Sequence, residues 1–231
     1  MVNAMVSIII PVFNREELVV RAARSCLDQT YKNLEVVCID DGSTDASFAR
    51  LSELSNSDAR VRVFRNERRK GAAGARNTGL LRATGDYVGF LDSDDTFKPF
   101  HVEKIMAVFT DTNVDWIFSN FERSLADGKI TDASVIGRDD PYITSSFSDL
   151  GGDVFISTGE GHAVTFVRFM RAPGLHTSIV KRVAIEELSF DERVDIFEDW
   201  KFRFDAICNG VRFAYLDLVT HRYYSHAGNT T

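Results

Sequence analysis

Short apolar runs that stop abruptly at carboxylates or turn residues constrain this chain more than any other feature. Val6–Val12 and Leu34–Ile39 are β-branched and almost wholly apolar, and Tyr87–Leu91 is of the same kind. A strand with one wet face alternates polar and apolar residues; runs without alternation belong to a parallel sheet covered on both sides by helices. The intervening segments supply those helices. Leu18, Val19, Ala22, Ala23, Cys26 and Leu27 recur at helical spacing, and Asn14 with Glu17 three residues on predicts a capping box. Ser43–Leu54 reads as a second helix opened by Ser43, Thr44 and Asp45, Arg60–Phe64 as a short strand, and Gly71–Ala83 as a helix starting inside a glycine-rich loop. Strands alternating with helices predict right-handed crossovers and a Rossmann-like, mostly parallel central sheet flanked by helices.

The second half is less regular. Phe100–Thr110 predicts a helix and Val114–Ser119 a strand, while residues 123–161 read as loops with short strands. Leu175–Val180 predicts a strand and Arg182–Leu188 a short helix. Glu198–Asn209 predicts a helix with Trp200, Phe204 and Ile207 on one face and Gly210 as its stop. Val211–Leu218 reads as the last strand. The division is therefore 1–99 as one half and 100–231 as a more irregular half of the same domain.

Bulk properties narrow the function classes. At 231 residues, with 44% hydrophobic and 26% charged residues, the chain has the composition of one globular domain. A formal charge of -7 argues against a general nucleic-acid scaffold. Cys26, Cys38 and Cys208 are far apart and sit in apolar stretches, so they are expected to be reduced core residues of a reducing compartment. No basic leader is visible and no run approaches the ~20 apolar residues of a membrane span. The expectation is a cytoplasmic protein that meets a membrane, at its inner face, only from the surface.

Polar clusters follow the predicted strands, where open α/β sheets bind ligands. Asp92, Ser93, Asp94 and Asp95 crowd carboxylates at one strand end. They suit a hard divalent cation, or alternatively a solvated turn capping the next helix. Asp40 and Asp41 can accept hydrogen bonds from a base or ribose, or form an Asx-turn with Gly42. Residues 68–77 combine cations with small residues that let a backbone approach an anion, although Arg68, Arg69 and Lys70 also suit a solvated face. Glu198 and Asp199 open the last helix, placed there either by the helix dipole or as a general base. Near the C-terminus Arg222 could contact phosphate and His226 could ligate a metal; His162 and His176 carry less signal still.

In order, Pro11-Val12-Phe13-Asn14, Asp40 to Asp45, Gly74 to Gly79, Asp92 to Asp95 and Glu198-Asp199-Trp200 resemble the motifs of family 2 inverting glycosyltransferases with the GT-A fold. The likeness is tightest from Ser7 to Pro99 and weak from Asn120 to Ala172. It implies a nucleotide-diphospho-sugar donor with Mn²⁺ or Mg²⁺ held by Asp92 and Asp94, joined by Asp95; His226 stands beside them as the metal-ligand candidate read from its residue type alone. It further implies a nucleotide site at Pro11, Phe13, Arg15, Asp41, Arg76, Asp92 and Ser93. Asp41 would accept the imide N–H of uracil, Phe13 would pack on the base, and Arg76 would face the diphosphate. Asp199 would be the catalytic base, with Glu198 as the alternative candidate, and the segment from His221 to His226 would be a tail closing on the nucleotide. The acceptor implied is a glycan or lipid-linked sugar in polysaccharide synthesis. A sugar nucleotidyltransferase and a catalytically silent nucleotide-sugar-binding module are the competing readings.

Overall fold

The computed structural model describes residues 4–158 and 174–225. Its parallel core is β3 (Val61–Arg65), β2 (Leu34–Asp40), β1 (Val6–Val12) and β4 (Tyr87–Phe90), side by side in that order. The sheet continues through β10 (Ser178–Lys181), β6 (Trp116–Leu125), β11 (Phe213–Ser225), β9 (Val154–Ser157) and β8 (Phe147–Asp149). β5 (Thr96–Phe97) pairs with β11, and β7 (Ile130–Asp132) with β6. Strand β10 is antiparallel to both neighbours and joins the regular half to the irregular one.

Alternate residues of the central strands feed opposite layers. Ile8, Ile10, Val36 and Cys38 pack into one core with Val19, Ala22 and Cys26 of α1 (Val19–Leu27) and Ile105 of α4 (His101–Asp111). Ile9, Val37 and Ile39 pack into the other, with Ala73 and Ala75 of α3 (Ala72–Arg82) and Phe202 of α6 (Glu198–Cys208). All seven central-strand side chains are fully buried, each worth about 1.5–3 kcal/mol of transfer free energy for the aliphatic ones. Two-sided burial is the physical reason those runs lack alternation.

Helix α3 needs its small residues for packing. A Cβ on Gly79 would lie 2.4 Å from Ile9 Cγ2, and one on Gly74 would lie 1.9 Å from the Arg69 carbonyl oxygen. These glycines therefore let α3 settle on β1 and on its own entry loop.

Several local expectations are corrected. Helix α1 begins at Val19 without a side-chain cap; Asn14 has φ 51° and instead accepts from the Thr44 N–H at 2.8 Å. Residues 43–46 form a turn, so the second helix, α2, runs Ser47–Ser57. Leu175–Thr177 is a 3-10 turn ahead of β10, and Arg182–Ile185 is another after it. The weakly patterned stretch holds the expected short strands, β7, β8 and β9, and adds a short helix, α5 (Pro141–Ser146). Helix α6 fully buries Phe202, Arg203 and Ala206, while Trp200, Phe204 and Ile207 are half-buried and pack against the same core. Strand β11 runs on past Leu218 to Ser225 through register irregularities between Leu216 and His221. Cys26 and Cys38 are buried, but Cys208 is exposed. No helix among the described residues is long and apolar enough to cross a membrane.

Candidate active site

The carboxyl ends of β1, β2 and β4 share one edge, because Val12 pairs with Asp40 and Ile9 with Phe90. Asp40 is fully buried there. Its Oδ2 accepts from the Gly42 and Ser43 N–H groups at 3.2 Å and from Arg65 Nη1 at 2.6 Å, so it holds the turn. Asp41 accepts from Asn66 Nδ2 at 2.6 Å and from the Gly71 N–H at 2.8 Å. The first N–H of the glycine-rich loop is thus spent on Asp41. Each carboxylate oxygen retains a second acceptor site for a ligand donor. Burial pushes the Asp41 carboxyl above its ordinary range against the donated hydrogen bonds and nearby Lys70. Phe13 is 42% exposed at the mouth, with Lys70 Nζ 4.2 Å from its ring centroid. Pro11 lies in β1 beside Ile39 and is half-buried.

The turn after β4 faces two groups of cations. Asp94 Oδ2 meets Arg15 Nε at 3.3 Å, and the Asp94 carbonyl accepts from Arg21 Nη2 at 2.5 Å. Asp92 Oδ1 meets Arg76 Nη2 at 3.0 Å, while Arg76 Nη1 reaches Glu198 Oε1 at 2.5 Å. Arg76 itself is buried. One guanidinium therefore binds the acidic turn of the first half to the first turn of α6. Burial opposes its charge, but Asp92, Glu198 and Asp199 together hold its pKa above the ordinary value. Burial likewise pushes the Asp92 carboxyl up, and is outweighed by Arg76 and His176, so the group stays below its usual range.

Helix α6 is held by an aromatic stack. Phe190 and Phe202 lie parallel with centroids 4.0 Å apart, and Phe90 meets both rings edge-on. This fixes Asp199 in the first turn. Its Oδ2 accepts from Arg203 Nη2 at 3.2 Å, four residues on in the helix. Burial lowers the Arg203 pKa despite that neighbour.

The structure thus brings together Asp92, Asp94, Arg15, Arg76, Glu198 and Asp199, with Ser93 buried in the same turn. Asp95 lies behind them: it is fully buried and accepts from the Tyr224 N–H at 2.9 Å. Burial pushes its carboxyl up to about 8. His221 is also fully buried within β11. The expectation of a tail is corrected for residues 221–225, which are strand because Phe97 and Thr96 pair with His221 and Arg222. Arg222 meets Glu122 Oε1 at 2.6 Å. His226 and His162 lie outside the described residues.

Three participants escaped the sequence reading. His176 Nδ1 lies 3.8 Å from Asp92 Oδ2, and nothing in its neighbourhood signals that. Arg203 could have been found from its spacing of four from Asp199. Glu192 accepts from Arg68, the Arg69 N–H and Asn77. A separate hollow of about 640 Å³, lined by Arg68, Asn77, Phe190, Glu192, Lys201 and Asp205 among others, does not include Asp92, Asp94 or Asp199.

Residues 7–156 match the family model Glycosyl transferase family 2. Among curated relatives, the Escherichia coli UDP-Glc:alpha-D-GlcNAc-diphosphoundecaprenol beta-1,3-glucosyltransferase WfaP is 29% identical over 98% of this chain and 80% of its own length. The E. coli enzyme of the same description named WfgD is 37% identical over 58% of this chain and 50% of its own. An uncharacterized glycosyltransferase of Haemophilus influenzae is 45% identical over 43% of this chain and 40% of its own. The matched stretches thus span half or less of the last two relatives. Among solved structures, S. aureus TarS 1-349 in complex with UDP-GlcNAc superposes with a TM-score of 0.75 at 21% identity, covering 97% of this chain and 60% of that one. The mannosyltransferase PcManGT from Pyrobaculum calidifontis, in complex with GDP-Man and Mn2+, gives 0.66 at 19% identity over 97% of this chain and 58% of that one. These likenesses show the GT-A fold, and with a family model matched over well more than half its length, the chain belongs to glycosyl transferase family 2.

Proposed function

We propose that this chain transfers a sugar from a UDP-sugar to a hydroxyl of a lipid-linked or growing glycan, with inversion at the anomeric carbon. The observation that carries the reading is the Arg76 bridge from Asp92 at 3.0 Å to Glu198 at 2.5 Å. It sets the acidic turn and the carboxylates of α6 around one site, as the two-sided chemistry requires.

In this reading Phe13 packs on the base and Asp41 accepts its imide N–H. Glu198 is committed to Arg76, so it positions the guanidinium, and Asp199 takes the acceptor proton as the hydroxyl attacks. Arg203 orients the Asp199 carboxylate. Arg76, itself buried, faces the departing diphosphate and stabilises its growing negative charge. The acidic turn also fits a hard divalent cation: Asp92 and Asp94 offer oxygen donors that are 36% and 12% exposed, open enough to share an ion with phosphates. Such an ion, Mn²⁺ or Mg²⁺, when bound, would add Lewis-acid stabilisation of the leaving diphosphate. The related E. coli proteins are described as acting on diphosphoundecaprenol-linked sugars, which supports a lipid-linked acceptor met at the cytoplasmic face of a membrane.

The test is release of free UDP, with no pyrophosphate, from UDP-sugars presented with a lipid-linked acceptor. Asp199→Asn is expected to keep UDP affinity and lose at least 100-fold in turnover, on the order of the contribution of a general base. Turnover equal to wild type in that variant removes Asp199 as the base. Wild-type protein that binds UDP-sugars and never turns them over favours the silent binding module.

A further inference from the structure

Behind the acidic turn lies a cluster that the proposed reaction does not use. One ligating atom each from Asp95, His176 and His221 lies within 4.8 Å of the others. Asp95 and His221 are fully buried, and His176 is 13% exposed. Among the described residues, Asp95 Oδ2, His176 Nε2 and both ring nitrogens of His221 have no hydrogen-bond partner. Buried polar atoms are almost always paired, so four orphans in one place need an explanation.

We propose that Asp95, His176 and His221 form a second, buried cation site that takes a transition-metal ion of the zinc type. Two imidazoles and a carboxylate are a donor set such ions bind in proteins. With metal–ligand bonds of about 2.0–2.2 Å in a tetrahedral site, two ligands of one ion sit about 3.3–3.6 Å apart. The side chains, within 4.8 Å of one another, need to close by up to about 1.5 Å, which rotation about their side-chain torsions supplies. The surroundings suit a dry site. Phe97 meets the His221 ring edge-on at 5.9 Å, Phe121 meets His176 at 5.3 Å, and Tyr223 tilts over His176 at 6.0 Å. Asp92 Oδ2, 3.8 Å from His176 Nδ1, stands where a carboxylate orients a ligating imidazole.

This site differs in kind from the Asp92–Asp94 turn, whose donors are oxygens open to a substrate. Its three ligands come from the turn after β4, the 3-10 turn before β10, and β11. An ion there clasps the first half of the sheet to the second. Mutual hydrogen bonding explains less. His221 Nε2 and Asp95 Oδ2 are 3.4 Å apart and could serve one another, but His176 Nε2 and His221 Nδ1 stay orphaned.

The experiment titrates chelator-treated full chain with Co²⁺ and then Zn²⁺, without nucleotide. Expected are one Co²⁺ per chain with a visible ligand-field absorption band, its displacement by Zn²⁺, and a rise in Tm of about 3 °C or more. Asp94→Asn keeps all three. His176→Gln, with a far-ultraviolet spectrum like wild type, loses the band and the Tm rise; His221→Gln is the second variant should the first fail to fold. The proposal is overturned by wild type with no band and no Tm rise. It is equally overturned by His176→Gln binding as wild type does, by loss of the band in Asp94→Asn, or by a crystal grown with Zn²⁺ that shows water between the three side chains.

Discussion

Replacing Arg76 by Gln removes one charge from the point where the two halves of the site meet. The variant leaves Glu198, 13% exposed, and Asp92, 36% exposed, without the guanidinium they share. Breaking a buried ion pair from one side costs about 3–5 kcal/mol. The exposure of Asp92 lets water screen part of its share, so about 3 kcal/mol is the working figure. For a domain of this size each kcal/mol moves Tm by about 2–4 °C, which gives a fall of about 6–12 °C in a thermal-shift scan. Arg76→Lys keeps the charge but cannot span both carboxylates, so it recovers about half of that loss. Turnover with a UDP-sugar is expected to fall about 100- to 1000-fold in Arg76→Gln, the range for losing one preorganised group opposite developing negative charge. A Tm within 2 °C of wild type, alongside normal turnover, would refute the view that this guanidinium holds the site together.

Three further outcomes follow from the same geometry. Asp94→Asn is expected to abolish the strengthening of UDP binding by Mn²⁺ in calorimetric titrations; an undiminished metal effect removes Asp94 from the cation site. Gly79→Ala drives a methyl to 2.4 Å from Ile9 Cγ2 and should cost about 1–3 kcal/mol by overpacking, read as a lower denaturant midpoint with unchanged slope. Glu35 is buried and accepts from Ser7 Oγ at 2.6 Å, Arg62 Nη1 at 2.7 Å and the Thr84 N–H at 2.7 Å. Burial pushes its carboxyl up, but these hydrogen bonds outweigh it and hold the pKa below the ordinary value. Its stabilisation is therefore complete above the unfolded-state value of about 4.3 and fades as pH falls through the lower folded value. The stability gap between wild type and Glu35→Gln should be constant from pH 8 to 5 and narrow below about pH 4; a gap that widens in acid contradicts the assignment.

The central sheet could be read from sequence because both faces of β1 and β2 are apolar, and that pattern survives in any fold that buries them. The acidic turn and the α6 carboxylates could be located because they sit at element ends, where polar clusters stand out. What could not be read depends on contacts between distant segments. Helix α6 turns Arg203 inward to reach Asp199, and a period-based reading cannot choose a buried arginine over Trp200 or Phe204. The sequence pattern of strand β11 stops at Leu218, yet an irregular register carries it onward until His221 sits beside Asp95. Asn14 looked like a cap and serves Thr44 instead, 30 residues away, a partner that only the folded chain supplies. His176 shows the same limit, since its meaning comes from Asp92 and not from its neighbours in sequence.

The loop carrying Lys70 is anchored at both ends of its short span. Asn66 and Gly71 hold Asp41, while Arg68 and Arg69 grip Glu192 and Asp195, ahead of α6. Lys70 rests on Phe13 between those anchors. Swinging the ammonium aside to admit a ring therefore means either stretching that leash or dragging the approach to Asp199 along with it. Under the roles proposed for Phe13 and Asp199, the nucleotide end and the acceptor end would thus share one set of surface ion pairs, and raising ionic strength should loosen those pairs.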